Sequence, residues 1–288
     1  MYLTLAERAF RTSRLEGASR LLWSHAYYDS AAWERLLRAG LGDAPLSRCA
    51  RRRARLALVS CVGRGARLSP FLFRSYECPR RTRSAYPGTA NAALWQAVRA
   101  SAAAPTYFDE PLVARRMHQD GGLMVNNPAG VALHEAKLIF GSEADNATLI
   151  SIGTGRPPAA PADDQPSDLK PTSWRDKFNR ILDSATDTQG VHLMLHDLMP
   201  AGSYFRLNPP LLAACAMDET DPARLRQLAG DADLYARRNR HKIHQAAQRL
   251  TAPRSVAQRA ADFVRHRALL LGLAEPPDAS PTPLAASR

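Results

Sequence analysis

Several features that assign a protein to a definite class are scarce or missing in this sequence. Its 288 residues hold four cysteines, and no two of them form a Cys-x-x-Cys pair. A chain of this length does not need disulfides, so we expect reduced thiols in an intracellular compartment. No run approaches the roughly 18–20 unbroken apolar residues of a membrane span, and residues 1–20 lack the apolar segment and cleavage site of a signal peptide. We therefore expect a cytoplasmic protein or one held peripherally on an organelle membrane.

Lysine is also scarce, and arginine carries nearly all of the positive charge. Lys and Arg together number 39 against 27 Asp and Glu, which gives a net charge of +12. Such an excess favours anionic partners, either nucleic acid or phosphate head groups at a membrane surface. A GC-rich source genome would explain the same composition. No finger, helix-turn-helix or aromatic-plus-basic strand motif is present, so we do not expect nucleic-acid binding.

Neither the histidines nor the basic residues form a motif with a definite chemistry. His241 and His244 lie three residues apart on a basic helix, without the spacing of a metal site. We expect no metal and no cofactor. The same stretch predicts a basic helix face, which is either solvated or in contact with anionic lipid. The solvated reading is preferred, and the face comprises Arg237, Arg238, Arg240, Lys242 and Arg249.

Apolar periodicity and turn residues predict alternating helices and strands up to residue 155. Helices are predicted at 2–13, 31–39, 94–104 and 128–140, and Gly40 is expected to end the second of them. Buried strands are predicted at 56–62 and 147–155, with a hairpin partner for the first at 71–76. This pattern is typical of an α/β domain.

The composition changes after residue 155. Residues 156–173 are rich in Pro, Ala and Asp and read as a loop or linker. Residues 174–252 are predicted to be mostly helical, with helices at 174–184, around 191–199 and at 222–250, and an edge strand at 204–208. Residues 253–288 are predicted to be a helix followed by a disordered Pro/Ala/Ser tail.

A single acid lies within a glycine-rich turn between regular elements. The segment reads His118-Gln119-Asp120-Gly121-Gly122, and Asn126-Asn127-Pro128 follows it. Asp and Gly are common turn residues, so the motif alone also fits a plain structural turn. Its position just before a helix, at the edge of an α/β sheet, is where such folds hold reacting groups. We therefore expect Asp120 to be a catalytic base.

Ordered motifs flank this acid over most of residues 1–250. They are Trp23–Ser30, Trp95–Pro105, Tyr107-Phe108, His118–Gly122, Asn126–Pro128, His134–Ala136, Ser151–Gly155, Ser184–Thr188, Val191-His192, Tyr204–Pro209 and the helix Pro222–Leu250. Together they resemble the C-terminal part of a patatin-like phospholipase domain. Within that family the sequence is most similar to the calcium-independent phospholipase A2 gamma group.

The resemblance implies both a fold and a chemistry. The expected fold is a partial patatin-like α/β domain, a mostly parallel sheet flanked by helices, followed by a helical C-terminal region. The expected chemistry is a Ser–Asp dyad, in which a serine of a Gly-x-Ser-x-Gly turn attacks an acyl ester and the aspartate of Asp120-Gly121-Gly122 takes its proton. A carboxylate near its reference pKa of about 4 is a poor base for an alcohol, so burial would have to raise the pKa.

The nucleophile that this chemistry requires is missing. No Gly-x-Ser-x-Gly occurs in the 288 residues, and the segment Gly17–Leu21 lacks the second glycine. The glycine loop that supplies oxyanion N–H groups in the family is missing too. We expect that the chain begins after the nucleophile and is inactive alone; a truncated gene and a genuine short protein both stay open.

Other side chains fit supporting roles better than catalysis. Ser101 is expected to pack in a wall of the site, and Ser151 and Thr154 are expected to be structural at the strand end near Asp120. The leading hypothesis is a phospholipase A2/A1-type lipid acyl-ester hydrolase acting on phospholipid or another acyl lipid. The alternative is a non-catalytic lipid- or protein-binding remnant, with possible peripheral contact to anionic membrane.

Overall fold

The computed structural model describes most of the chain, and the α/β class expected from the sequence is confirmed. The described residues are 2–10, 12–48, 54–65, 67–78, 84–156, 158, 188–253, 255–271 and 273. Nearly all of the predicted linker 156–173, the predicted helix at 174–184 and the Pro/Ala/Ser tail lie outside these residues. The division of the chain into four segments stays a prediction.

Helices and strands alternate in the first half, and helices dominate the second. The helices are α1 (Tyr2–Ala9), α2 (Arg14–Ser24), α3 (Ser30–Leu41), α4 (Leu94–Ser101), α5 (Gly122–Val125), α6 (Ala129–Phe140), α7 (Gln189–Leu198), α8 (Pro222–Arg238), α9 (Arg240–Thr251) and α10 (Val256–Leu271). The strands are β1 (Ala57–Arg64), β2 (Arg67–Arg74), β3 (Gly88–Thr89), β4 (Leu112–Val113), β5 (Arg116–Asp120), β6 (Leu149–Ile152) and β7 (Tyr204–Leu207).

The described strands form two sheets. The larger sheet has the order β3-β2-β1-β5-β4, and the smaller one pairs β6 with β7. The expected hairpin of β1 and β2 is confirmed, with every residue of β1 paired antiparallel to β2. The expectation of mostly parallel strands is not met in the described ladders, of which three are antiparallel and two parallel. Among the described strands, parallel pairing is confined to β2 with β3 and β6 with β7. Strands β1 and β2, and strands β4 and β5, follow each other directly and pair as antiparallel hairpins, and β5 is also antiparallel to β1.

The helix ends show which local signals were read correctly. Asp29 caps α3, its side chain accepting a hydrogen bond from the Ala32 N–H at 2.9 Å. The prediction that Gly40 ends this helix is wrong: the helix continues to Leu41, and Gly42 closes it with φ +70°. A second helix, α2, was not predicted, although Ser13 and Glu16 form a capping box at its start. That signal is local and could have been found.

Two further elements differ from the prediction. Helix α6 begins at Ala129 rather than Pro128, although the Asn127 side chain still accepts from the Ala129 N–H at 3.3 Å. The predicted helix 222–250 is broken at Asn239 into α8 and α9. None of the helices in the described part of the chain combines the length and apolar character needed to cross a membrane.

The main core lies between the larger sheet and helix α4. Small residues on α4 let the helix approach the aromatic side chains of β2 closely, since alanine adds little volume at the contact. The buried residues of this cluster are Leu46, Val62, Phe71, Phe73, Ala92, Ala97, Ala100 and Val113. Burial of such apolar area is the main force that holds sheet and helix together.

A buried ion pair fastens helix α6 to strand β2. Arg74 Nε lies 2.7 Å from Glu135 Oε2, and both side chains are almost fully buried. Tyr76 and Ser84 donate to the same carboxylate at 2.9 and 2.6 Å. Burial alone would raise the pKa of Glu135, but these hydrogen bonds and the Arg74 charge hold it below its ordinary value.

Removing one partner of this pair should destabilise the fold strongly. Glu135→Ala leaves the Arg74 guanidinium buried without its counter-charge, which typically costs about 3–5 kcal/mol. The matched control is Arg38→Ala, because Arg38 pairs with Asp43 on the exposed surface and such pairs are worth about 0–1 kcal/mol. Urea unfolding followed by circular dichroism measures both changes, and equal losses would contradict this account.

The ion pair also predicts a pH dependence. Because the pKa of Glu135 is lowered on folding, its contribution is fully present above the pKa of the unfolded chain. That contribution is lost as the pH falls through the lower pKa of the folded state. Urea unfolding of the native protein and of Glu135→Gln at a series of acidic pH values should show the difference in stability shrinking as the pH falls.

Candidate active site

Asp120 is the last residue of β5, rather than part of the turn in which the sequence placed it. Strand β5 pairs antiparallel with β1, and Asp120 lies opposite Ser60 in that ladder. The Asp120 N–H donates to the carbonyl of Ala103 at 3.0 Å, just beyond the end of α4. The carboxylate is therefore carried by backbone that both the sheet and a helix end hold in place.

The two glycines after Asp120 play different structural roles. Gly122 donates its N–H to Asp120 Oδ1 at 2.7 Å, which orients the carboxylate. Gly121 has ordinary helical angles of φ −62° and ψ −27°, so its conformation does not require glycine. A Cβ at position 121 would instead fall well inside van der Waals distance of the Val59 carbonyl oxygen. The loop therefore lies directly on the backbone of β1.

Burial changes the acidity of this carboxyl group. The pKa of Asp120 is raised above its ordinary value because burial disfavours the charged form, and the hydrogen bond from Gly122 opposes this only in part. None of the ion pairs between described residues includes Asp120. A half-buried carboxylate with a raised pKa is a stronger proton acceptor than one in water.

A hydrogen-bond network joins the segment after Asp120 to the smaller sheet. The Asn127 side chain accepts from Ser151 Oγ at 3.1 Å and donates to the Thr188 carbonyl at 3.3 Å. The guanidinium of Arg206 donates to Ser151 Oγ at 2.8 Å and to Thr188 Oγ1 at 3.2 Å. Ser151 is thus part of a buried structural network. Arg206 was missed by the sequence reading because no local pattern marks an arginine that is buried by distant residues.

Of the other residues considered in the sequence, Ser101 borders the Asp120 loop, whereas Thr154, His241 and His244 are exposed. Ser101, at the end of α4, is half-buried and its carbonyl accepts from the Gly121 N–H at 3.4 Å, so it does border the loop. Thr154 is exposed. His241 and His244 are exposed on α9, and no group of metal-binding side chains occurs among the described residues.

One member of the predicted basic helix face does not belong to it. Lys242 is half-buried and donates to the Arg206 carbonyl at 2.7 Å. Burial lowers the pKa of this amine. Arg237, Arg238 and Arg240 remain exposed, as expected for a solvated face.

Among the described residues, the side-chain hydrogen bond of Asp120 comes from the Gly122 N–H and not from a serine hydroxyl. Ser60 lies opposite Asp120 in the ladder, but it is fully buried and its Oγ lies 2.9 Å from His118 Nδ1. Ser19, in the segment Gly17–Leu21, is exposed on helix α2. Gly17 in that segment packs against the ring of Tyr27, as a helix residue and not as part of a strand-to-helix turn.

Substitution of Gly121 should displace the Asp120 loop. Gly121→Ala places a methyl group against the Val59 carbonyl, and such overpacking costs about 1–3 kcal/mol. The control is Gly130→Ala in helix α6, where the added methyl group meets nothing within 4 Å and should stabilise by roughly 0.5–1 kcal/mol. Thermal or urea unfolding measures both; a neutral Gly121→Ala would contradict the close packing described above.

Comparison with known proteins gives a consistent set of relatives. The model of the family described as patatin-like phospholipase matches residues 2–133. The calcium-independent phospholipase A2-gamma of Oryctolagus cuniculus is 36% identical over 268 residues, which are 92% of this chain and 34% of that protein. The Homo sapiens protein of the same name is 35% identical, with the same two shares. Phospholipase A I of Arabidopsis thaliana is 30% identical over 220 residues, or 64% of this chain and 16% of that protein. The chain therefore spans about a third of the length of the two A2-gamma relatives.

Proposed function

Because this chain belongs to the patatin-like phospholipase family, we propose that it is the base-bearing part of a phospholipase A-type lipid acyl-ester hydrolase. The observation that carries the proposal is Asp120, a half-buried carboxylate with a raised pKa and no ion-pair partner among the described residues. Its substrate would be the acyl ester of a phospholipid, in keeping with the names of the relatives.

The proposed chemistry is nucleophilic acyl transfer. A serine hydroxyl attacks the ester carbonyl while Asp120 takes the hydroxyl proton. The protonated Asp120 then gives this proton to the leaving alcohol, and water hydrolyses the acyl-enzyme that remains. The hydrogen bond from Gly122 uses Oδ1, so we assign Oδ2 to the proton transfer. The raised pKa serves this step, because a base works best when its pKa approaches the working pH.

The serine is the part that these 288 residues do not supply. They contain no Gly-x-Ser-x-Gly, and Ser60, the residue opposite Asp120, is buried against His118. In this proposal a segment that carries the nucleophile must join Asp120 before hydrolysis can occur. The chain by itself is then inactive, whatever the state of its base.

An active-serine probe tests this proposal. A fluorophosphonate reagent should give no covalent adduct with the purified 288-residue chain, because no accessible serine is activated. In a longer form that carries a Gly-x-Ser-x-Gly turn, we expect labelling and phospholipid hydrolysis, and Asp120→Asn should lower the rate by about 10²–10⁴-fold. Labelling of the 288-residue chain at a mapped serine, or full activity of Asp120→Asn, would refute the assignment.

A lipid-binding surface is supported by one further observation, the exposed apolar face of α2. Leu15, Leu22 and Trp23 are 86%, 79% and 86% exposed. Positions 15 and 22 lie on the same face of the helix, and Trp23 is adjacent. Leucine and tryptophan on an otherwise polar helix suit the boundary of a lipid surface, where Trp is enriched. This surface would serve either a hydrolase or a binding remnant.

Vesicle co-sedimentation tests the lipid surface. The double variant Leu22→Ser/Trp23→Ser should bind phosphatidylcholine–phosphatidylserine vesicles at least about a hundredfold more weakly than the native chain, since each buried apolar side chain contributes about 1.5–3 kcal/mol. Its control is Arg237→Gln/Arg238→Gln on the solvated basic face, which should change binding little. If the arginine variant loses binding and the α2 variant does not, the contact is electrostatic and lies elsewhere, and binding should then weaken as salt rises.

A further inference from the structure

The hairpin that carries Asp120 is not held by its own turn. Strands β4 and β5 are joined by Ala114 and Arg115, whose φ angles are +48° and +62°. Two-residue hairpins of this kind favour Asn-Gly, because residues with a Cβ are strained in the left-handed region by roughly 1–2 kcal/mol each. The ladder between β5 and β1 contains only three residue pairs. Contacts outside the turn must therefore keep this hairpin in place.

His118 supplies such contacts, since it is fully buried and bonded at both ring nitrogens. Nε2 lies 3.1 Å from the Val113 carbonyl on β4, and Nδ1 lies 2.9 Å from Ser60 Oγ on β1. A carbonyl only accepts, so Nε2 must carry the proton; Nδ1 of the neutral ring then accepts from the Ser60 hydroxyl. One imidazole thus ties β5 to the strands on either side of it.

The surroundings of the ring favour this neutral form. The rings of Phe71 and Phe73 on β2 lie 5.1 and 5.0 Å from the imidazole, centre to centre. Burial lowers the pKa of His118, and the like charge of Arg116 acts in the same direction, against the bond to the Val113 carbonyl. A charged ring would have to be desolvated against two aromatic side chains.

The same contacts lie directly beside Asp120. Ser60 is the hydrogen-bond partner of His118 and also the residue paired with Asp120 across the ladder. Residues 118 and 120 are two apart on one strand, so their side chains share a face of the sheet. The bond between Ser60 and His118 therefore fixes the register of β5 at the point where Asp120 ends the strand.

We propose that His118 is a positioning residue for Asp120. Its imidazole, held between Ser60 and the Val113 carbonyl, keeps the strained β4–β5 hairpin in register and so places the carboxylate against the Gly122 N–H in its buried setting. The importance of this arrangement rests on the proposed role of Asp120 as a base, but its geometry can be measured without any catalysis.

The test uses the 288-residue chain and NMR of Asp120 itself. His118→Phe keeps a ring of similar size but removes both hydrogen bonds. We expect the carboxyl pKa of Asp120, followed through its ¹³Cγ signal and assigned with Asp120→Asn, to fall towards the ordinary value. Exchange of the Asp120 and Gly122 amide protons should become roughly tenfold faster or more.

Improving the β4–β5 turn in the His118 variant shows whether His118 acts by positioning the hairpin or only by stabilising the whole fold. Adding Ala114→Asn/Arg115→Gly gives the hairpin the residues that its turn geometry favours, so the triple variant should regain most of the lost shift and protection. The matched control is Leu46→Ala, a fully buried core residue outside the hairpin, which should lower stability yet leave the Asp120 pKa unchanged. If His118→Phe does not fold, His118→Leu, which also removes both hydrogen bonds, replaces it in the same comparison.

Three results would contradict the assignment of His118 as a positioning residue. An unchanged Asp120 in the His118 variants, an equal shift in Leu46→Ala, or no rescue by the improved turn would overturn the proposal. If Asp120 is not the catalytic base, the hydrolysis assay of Asp120→Asn will show it, whereas the NMR signals of Asp120 test only its position. The two proposals can therefore fail separately.

Discussion

The candidate site depends on the contact between β1 and the short strand that ends in Asp120. Strand β1 is paired with β2 along its whole length, which makes it the rigid member of the sheet. Strand β5 joins it through only three residue pairs, and Gly121 lies so close to the Val59 carbonyl that a hydrogen atom alone fits. The carboxylate therefore takes its position from β1, and small changes in packing on that strand are transmitted directly to it.

A second constraint reaches the same loop from the C-terminal part of the chain. Asn127 bonds to Ser151 on β6 and to Thr188 before α7, and Arg206 on β7 bonds to both of these residues. The smaller sheet is thereby connected to the segment that follows Asp120. Because these are buried polar groups, losing one hydrogen bond leaves its partner unsatisfied. The free-energy cost of that unsatisfied group exceeds what the hydrogen bond itself contributes to stability. The loop is held from two sides.

Burial gives two neighbouring titratable residues opposite responses. The carboxyl pKa of Asp120 is raised and the imidazole pKa of His118 is lowered, in each case because burial disfavours the charged form. The same desolvated end of β5 thus makes the carboxylate more basic and keeps the histidine neutral. A neutral histidine can pack against the rings of Phe71 and Phe73, whereas a charged one would weaken the strand that carries Asp120.

Local signals explain the parts of the fold that could be predicted. Strand β1, its hairpin partner β2 and helix α6 follow from short apolar runs and from caps, because those features act over a few residues. Local signals could not predict three other features of the fold. These are the strand directions, the helix break at Asn239 and the burial of Lys242 against the Arg206 carbonyl. They depend on which distant elements become neighbours, and single-chain periodicity carries no such information.

For the site, the sequence by itself determined the chemical identity of the groups. It showed an aspartate before two glycines and a helix, family motifs on both sides, and no Gly-x-Ser-x-Gly among the 288 residues. Only the tertiary structure decided why Gly121 must lack a side chain, that Asp120 is half-buried, and that the Ser60 hydroxyl is hydrogen-bonded to His118. The physical reason is that the pKa and position of a carboxylate are set by the atoms around it, and the residues that contribute those atoms are far apart in the chain.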